Sequence, residues 1–163
     1  MRRYVRLPQL RRLKQLFRYD PQTGALLSLQ AGSEVGYVNN IGYRQIYIDG
    51  RIYSVHRLVW KLVHGAAPRG EIDHINGNPS DNRLVNLRLA SSSENNRNRK
   101  LSARNKTGVK GVFWVTKARR YRAVVGHNRQ YHILGHFVDF DEAVAVADAA
   151  RKQLHGEFAN RGT

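Results

Sequence analysis

The chain has no cysteine among its 163 residues. The fold therefore cannot contain disulfides or thiolate zinc sites, and a bound metal must use His, Asp, Glu, Asn or backbone oxygen ligands. Acidic residues are also scarce, with 12 Asp and Glu against 28 Lys and Arg, a formal charge of +16. Such a field attracts polyanions, so nucleic acid is the leading partner and an anionic membrane surface is the alternative.

Long apolar runs are absent as well. No segment approaches the ~20 residues of a membrane-spanning helix, which counts against the membrane alternative. The basic segment 1–20 is interrupted by Arg, Lys and Gln and offers no signal-peptide core. We expect a soluble protein that stays in the compartment where it is made. Its length fits one ordinary domain or two small ones.

Apolar spacing and turn residues divide the first 65 residues into elements. Residues 10–17 carry Leu and Phe at helical spacing, and the pattern stops at a turn, 19–24. Residues 36–53 alternate apolar and polar side chains around an Asp49-Gly50 turn, which predicts strands. Residues 55–64 have one apolar face and predict a helix that ends at the glycine after it.

The next stretch has an unusual polar loop. Residues 71–75 and 86–90 are short apolar segments, and between them the chain is crowded with Asn, Asp, Gly and Pro. Ser91 and Glu94 have the spacing of a capping box, so a helix should begin there. The pattern predicts strand, long polar loop, strand and helix within one small unit.

The last third predicts a sheet covered by a helix. Residues 109–115, 121–125 and 131–137 favour three short strands. Asp139 and Glu142 form a second capping box before an Ala-rich helix. With the preceding segments, this predicts an α+β protein.

Charge and aromatic residues coincide in this part of the chain. Between residues 95 and 138 there is no Asp or Glu, but there are 11 Lys or Arg. A basic sheet with interleaved aromatics favours nucleic-acid binding over a plain solvated face. Of its aromatic residues, Trp114 is expected in the core, because large aromatics usually bury most of their area.

Asp73, His74 and Asn95 are candidates for phosphodiester hydrolysis. That reaction needs a base for the attacking water and positive charge for the phosphate and the leaving oxygen. A neutral imidazole suits the first task, and a hard divalent ion held by carboxylate and amide oxygens suits the second. Neighbouring strand residues point to opposite sides, so Asp73 and His74 can share a site only if the strand ends there.

Plainer interpretations stay open on composition alone. An Asp-His pair is commonly just two polar side chains on the surface. Asn86 can simply form hydrogen bonds from its side-chain amide to the backbone of the loop. Asn78 and Asn82 are expected to be ordinary loop residues.

The spacing of the polar residues resembles the HNH endonuclease family, particularly its homing-type members. The matching motifs are Asp73 to Asn78, Asn82-Arg83, Asn86 to Arg88 and Ser93 to Asn95. The resemblance extends over residues 10–97 and implies a ββα-metal core at about 71–97. It also implies that His74 is the general base, that Asp73 and Asn95 bind the metal, and that Asn86 is the structural middle Asn.

The last His of the family name is an Asn here, as in the homing-type branch, which favours Mg²⁺ or Mn²⁺. Two interpretations of His56 stay open: it lines the cleft and touches phosphate, or it is packed at the start of a helix.

Residues 104–160 resemble the APETALA/ethylene-response-factor DNA-binding domain. The resemblance includes Lys110 to Val112, Tyr121 to Ala123 and Leu134 to Phe137. It implies a three-stranded sheet laid into the major groove, although several positions differ from the plant members, so no target sequence transfers. The expected DNA contacts are Lys110, Lys117, Arg119, Arg120, Arg122, Arg129 and Tyr131.

These observations predict an HNH nuclease domain in residues 1–97, a linker in 98–103 and an APETALA-like domain in 104–163. The predicted function is metal-dependent, site-preferring nicking or cleavage of double-stranded DNA in a bacterial or phage-infected cell. The alternatives are a DNA-binding regulator without activity and an RNA-binding protein. We expect a monomer or a DNA-dependent dimer, with no membrane partner and no obligate protein partner.

Overall fold

A computed structural model describes residues 5–98, 101, 105–127 and 130–159. The chain forms two compact units that divide between Ser92 and Ser93. The expected linker, 98–103, falls largely outside the described residues, so the predicted domain bounds stay a prediction. In the part of the chain that is described, no helix is long and apolar enough to cross a membrane.

The first unit begins with a short helix and a hairpin. Helix α1 spans Leu10–Leu16, one residue less than its predicted range, because Phe17 already belongs to strand β1, Phe17–Tyr19. Strand β2, Leu26–Ser28, pairs antiparallel with β1 across the predicted turn. Sequence analysis identified the turn but not the two strands beside it.

A three-stranded antiparallel sheet follows, in the order β3-β4-β5. Its strands are β3 at Tyr37–Val38, β4 at Arg44–Ile48 and β5 at Arg51–Ser54. Asp49 and Gly50 have φ angles of 46° and 81°, so the predicted tight turn is confirmed.

Helix α2, Val55–His64, has its predicted bounds and ends at Gly65, whose φ of 75° suits a residue without a side chain. Its buried face meets α1 and the sheet in one apolar cluster. The cluster members with no exposed surface are Leu13, Leu26, Val55, Leu58 and Val59.

The polar stretch forms the last hairpin described in the first unit. Strand β6, Glu71–His74, pairs antiparallel with β7, Leu87–Ala90, and a turn of 3-10 helix at Leu84–Asn86 precedes β7. Helix α3, Ser92–Arg97, begins directly after Ser91, as the capping pattern predicts. The division between the units falls at the start of this helix.

The second unit is a three-stranded antiparallel sheet with one long helix. The strands are β8 at Val112–Val115, β9 at Arg120–His127 and β10 at Gln130–Phe137, in the order β10-β9-β8. Helix α4, Phe140–His155, is followed by a 3-10 turn at Gly156–Phe158.

The start of α4 and the core beneath it agree with the sequence. The Asp139 carboxylate accepts a hydrogen bond from the Glu142 amide at 2.8 Å, so this predicted cap is confirmed. The core between sheet and helix is small, and its buried members are Val112, Ala123, Ala143 and Ala147.

Candidate active site

The β6–β7 hairpin presents Asp73 and His74 where β6 ends. Asp73 lies opposite Arg88 and His74 opposite Leu87 in the register. His74 is the last residue of the strand, and its carbonyl accepts a hydrogen bond from the Gly77 amide at 2.8 Å. The strand therefore ends directly after His74, where the sequence places a turn, and a common site for the two side chains stays a prediction.

Asp73 is buried in an ion pair. Its side chain is 4% exposed, and Oδ2 accepts from Nε and Nη2 of Arg88 at 2.9 and 2.8 Å. An isolated buried carboxylate would be costly, and a charged donor at this geometry offsets much of that cost. The pair fixes a negatively charged oxygen donor next to His74.

The His74 imidazole is surrounded by polar and aromatic groups. Its Nε2 lies 3.3 Å from Oδ1 of Asn82, and the ring centroids of His56 and Tyr43 lie 5.2 and 5.8 Å away in edge arrangements. Burial lowers the pKa of His74 from its usual value, which keeps the ring neutral near neutral pH. A neutral imidazole can accept a proton from water.

His56 is packed under this site near the start of α2. It is 7% exposed, and burial lowers its pKa to about 3, with smaller contributions from His74 and Arg57. Its Nδ1 has no hydrogen-bond partner within the described residues. This placement agrees with the interpretation of His56 as a packed residue, and its contact with phosphate stays a prediction.

Asn86 braces the Asn-rich loop, residues 75–86. Its Oδ1 accepts from the Asn76 amide at 2.9 Å, and its Nδ2 donates to the Asp81 carbonyl at 2.9 Å. The Asn86 carbonyl also accepts from the Ile75 amide at 2.9 Å. One side chain thus joins both ends of the loop that follows the Asp-His pair.

The donor chemistry fits a hard divalent ion. Among residues 5–98, 101, 105–127 and 130–159, no group of three or more His, Cys, Asp or Glu side chains could hold a metal. Asp73 offers a carboxylate oxygen, the kind of donor that Mg²⁺ prefers. Asn95 is half-buried on α3 in the second unit, and its role as a second ligand stays a prediction.

The roles of Asn82 and Tyr43 were not predicted from the sequence. The expectation that Asn82 is an ordinary loop residue is wrong, since it is 2% exposed and lies on His74. The Asn82-Arg83 motif marked the position without giving it a role. No sequence signal pointed to Tyr43, which meets His74 through the packing of the β3–β5 sheet.

The predicted DNA contacts of the second unit divide into several groups. Lys117, Arg119 and Arg120 are exposed around the β8–β9 turn, and Tyr131 is 84% exposed on β10. Arg122 is half-buried. Two further residues complete the set, Lys110 and Arg129.

Lys110 differs from the exposed contacts. Nζ of Lys110 donates to the Arg97 carbonyl at 2.6 Å, and burial lowers its pKa to about 8. Arg129 lies outside the described residues.

Trp114 corrects another expectation. It is 48% exposed rather than part of the core, and its ring meets Tyr121 edge-on at 4.8 Å. The buried core beneath the sheet consists of small residues, Ala and Val. Val112 fills it from β8, and Trp114, two residues further along on the same face of the strand, packs beside it against Tyr121.

Comparisons with known proteins match the region that contains Asp73 and His74. Residues 53–97 match the family described as HNH endonuclease. The chain is 38% identical over 119 residues to Protein 3.8 of Escherichia phage T7, covering 72% of this chain and 94% of that one. It is 30% identical over 125 residues to the HNH endonuclease L560 of Acanthamoeba polyphaga mimivirus, covering 76% of this chain and 64% of that relative.

A solved structure is also similar. It concerns DNA binding and cleavage by the HNH homing endonuclease I-HmuI, with 25% identity, a TM-score of 0.43 and coverage of 56% of this chain and 55% of that one.

The match over residues 53–97 includes the hairpin that carries Asp73 and His74, and it identifies an HNH endonuclease domain in this part of the chain, which makes the protein a nuclease. This finding favours a nuclease over a DNA-binding regulator. Over most of its length, the chain also belongs to the same family as Protein 3.8 of phage T7. These relatives do not bear on the APETALA-like resemblance, which stays a prediction.

Proposed function

We propose that the protein is a metal-dependent DNA endonuclease of the homing type, which nicks or cleaves double-stranded DNA at preferred sites. The observation that carries the proposal is the buried Asp73-His74 pair at the end of β6. Arg88 fixes the carboxylate, and burial keeps the imidazole neutral by lowering its pKa. Asp73, a charged oxygen donor, and His74, a proton acceptor, are therefore consecutive residues of this chain. Both lie within the region that matches the HNH endonuclease family.

Each residue has a defined task in this proposal. His74 accepts the proton of the attacking water, and Asn86 holds the loop that frames the site. Asp73 and Asn95 would hold Mg²⁺ or Mn²⁺ through their oxygens. When bound, such an ion stabilises negative charge on the phosphate and on the leaving oxygen. His56 packs beside His74 and supports its ring from the α2 side.

The second unit binds DNA in this proposal, as an APETALA-like domain over residues 104–163. Its support is the exposed cations at the β8–β9 turn and the exposed Tyr131 on the same sheet. Arg and Lys there position the protein on phosphates. The predicted contacts are Lys117, Arg119, Arg120, Arg122, Arg129, Tyr131 and, with a smaller share because its ammonium is already bonded, Lys110.

The proposed working state is a monomer, or a dimer formed on DNA, without an obligate protein partner. One site addresses one phosphate at a time, so nicking is the expected product of a monomer. Relatives from a phage and a giant virus favour action inside an infected cell.

A nicking assay on supercoiled plasmid tests the proposal. With Mg²⁺ or Mn²⁺ the parent should produce open-circle DNA, and His74→Ala should lower the rate by about 10²–10⁴-fold, the usual contribution of a general base. His64→Ala, an exposed histidine at the end of α2, is the matched control and should keep the parental rate. Absence of nicking by the parent with both metals would overturn the proposal.

A further inference from the structure

Asn82 is the most deeply buried residue of the Asn-rich loop, although the loop is otherwise largely exposed. It is 2% exposed, and its side-chain Oδ1 faces Nε2 of His74 at 3.3 Å. A buried amide in an exposed loop needs a reason, because burying a polar side chain is unfavourable unless its bonds are satisfied. We propose that Asn82 is a positioning residue for His74 and that the β1–β2 hairpin clamps it in place. This inference rests on the proposed role of His74.

The contact fixes the state of the imidazole. A neutral histidine carries its proton on one ring nitrogen, and the hydrogen bond made by that nitrogen sets which one it is. Oδ1 of Asn82 is an acceptor, so it stabilises the form with the proton on Nε2. The lone pair that receives a proton from water is then on Nδ1. Rings of Tyr43 and His56 limit rotation from the other sides.

Tyr19, at the end of β1, holds the backbone on both sides of Arg83. Its hydroxyl accepts from the Leu84 amide at 2.8 Å and donates to the Asn82 carbonyl at 3.3 Å. Burial raises the pKa of Tyr19, so the hydroxyl stays protonated and can serve as donor. One side chain from 63 positions upstream thus fixes the peptide that carries Asn82.

Gly24, in the turn of the same hairpin, lies directly on this peptide. A Cβ at Gly24 would be 2.5 Å from the Arg83 nitrogen and 2.8 Å from the Asn82 carbonyl carbon. Its φ of +79° also favours glycine. The β1–β2 hairpin therefore contacts the loop at Asn82, the residue that lies against His74. The contact is with the backbone of Asn82, so rotation of a side chain cannot relieve it.

Other contacts already hold the loop itself. Asn86 joins its ends, and Asp81 pairs with Arg83 at 2.6 Å on the exposed side. Loss of the Tyr19 hydroxyl or of the Asn82 amide should therefore leave the fold intact and loosen the imidazole. An intact fold with a less ordered His74 ring would distinguish a positioning role of Asn82 and Tyr19 from a purely structural role.

The test compares four variants of the full chain. Asn82→Leu removes the acceptor at nearly constant volume, Asn82→Asp restores an acceptor oxygen, and Tyr19→Phe removes only the hydroxyl. Tyr53→Phe, at a buried tyrosine of β5, is the matched control. Three quantities are measured: the single-turnover nicking rate at saturating protein, the Kd for DNA, and the ring ¹H–¹⁵N correlations of His74, which report the protonated nitrogen.

Asn82→Leu should slow single-turnover nicking about 10–100-fold, as does loss of other residues that orient a reacting group. Its Kd should stay near the parental value, and the His74 spectrum should change from the Nε2-protonated form to a mixture. Asn82→Asp should restore most of the rate, Tyr19→Phe should have a smaller effect of the same kind, and Tyr53→Phe should have none.

The outcomes separate this inference from the proposed function. If His74→Ala nicks at the parental rate, the proposed function fails. If His74→Ala is inactive while Asn82→Leu keeps the parental rate and His74 spectrum, the positioning role fails alone. Unfolding of both Asn82→Leu and Tyr19→Phe, followed by circular dichroism, would also overturn it, because both residues would then act on the fold.

Discussion

Asp73 in the first unit and the cations of the β8–β9 turn in the second are placed in opposite environments. The Asp73 carboxylate is 4% exposed and bonded to Arg88, and the next residue, His74, is bonded to Asn82. Around the β8–β9 turn, Lys117, Arg119 and Arg120 project into solvent. The first arrangement fixes the geometry of a few groups, and the second leaves charge available to a large polyanion.

The two environments also differ in what a substitution should do. A buried ion pair is costly to break, because the remaining partner keeps its charge without compensation. Removing an exposed cation changes the free energy of unfolding little, because water solvates that cation in both the folded and the unfolded protein. Stability should therefore respond to changes at Asp73 and Arg88, and DNA affinity to changes at the β8–β9 turn.

Arg88→Ala gives the largest expected effect on stability. It leaves the Asp73 carboxylate buried without the guanidinium, which should lower the free energy of unfolding by about 3–5 kcal/mol. Chemical denaturation of the two purified proteins measures the difference. Arg120→Ala is the control and should change it by less than about 0.5 kcal/mol. Equal effects of the two substitutions would contradict the contrast between the environments.

Gly24→Ala should come next. The new methyl group meets the backbone of Asn82 and Arg83, and the left-handed φ adds strain, so we expect a loss of about 2–4 kcal/mol. Gly32→Ala separates the two causes, because Gly32 also has a positive φ, 69°, but no atom within 4 Å of the added Cβ. It should lose only about 1–2 kcal/mol in the same denaturation experiment. A loss at Gly32 as large as at Gly24 would mean that the close approach to the loop contributes nothing.

Local sequence patterns were sufficient for much of the fold. Helix α2 has its predicted bounds because its apolar face and terminal glycine are both local signals. The Asp49-Gly50 turn and the Asp139 cap are also set by neighbouring residues. Strands β1 and β2 were missed because three residues are too few to show an alternating pattern.

The candidate site was only partly predictable. Asp73 and His74 were identified because they are adjacent and follow a recognised spacing. The role of Asn82 was not, since its burial depends on Tyr19, 63 positions away, and on the ring of His74. A polar side chain in a polar loop gives no local sign of burial. Contacts between residues so far apart in the chain cannot be predicted from local patterns in a single sequence.

Removing the three cations together tests the second environment. The triple variant Lys117→Ala, Arg119→Ala and Arg120→Ala should weaken DNA binding about 10–100-fold near physiological salt, because fewer counterions are released. The slope of log K against log salt should fall by about 0.9 for each phosphate that the protein no longer neutralises. Stability and the single-turnover nicking rate at saturating protein should stay near the parental values. An unchanged slope would mean that these three side chains do not bind DNA phosphates.

Trp114→Ala should have a moderate effect on stability and sharpens the contrast within the second unit. Because the side chain is 48% exposed, its loss removes about half of the apolar contacts of a core tryptophan together with the edge interaction with Tyr121, so we expect a cost of about 1.5–2.5 kcal/mol. A buried tryptophan, as the sequence suggested, would instead cost about 3–5 kcal/mol on truncation. Denaturation of Trp114→Ala beside the parent distinguishes the two values.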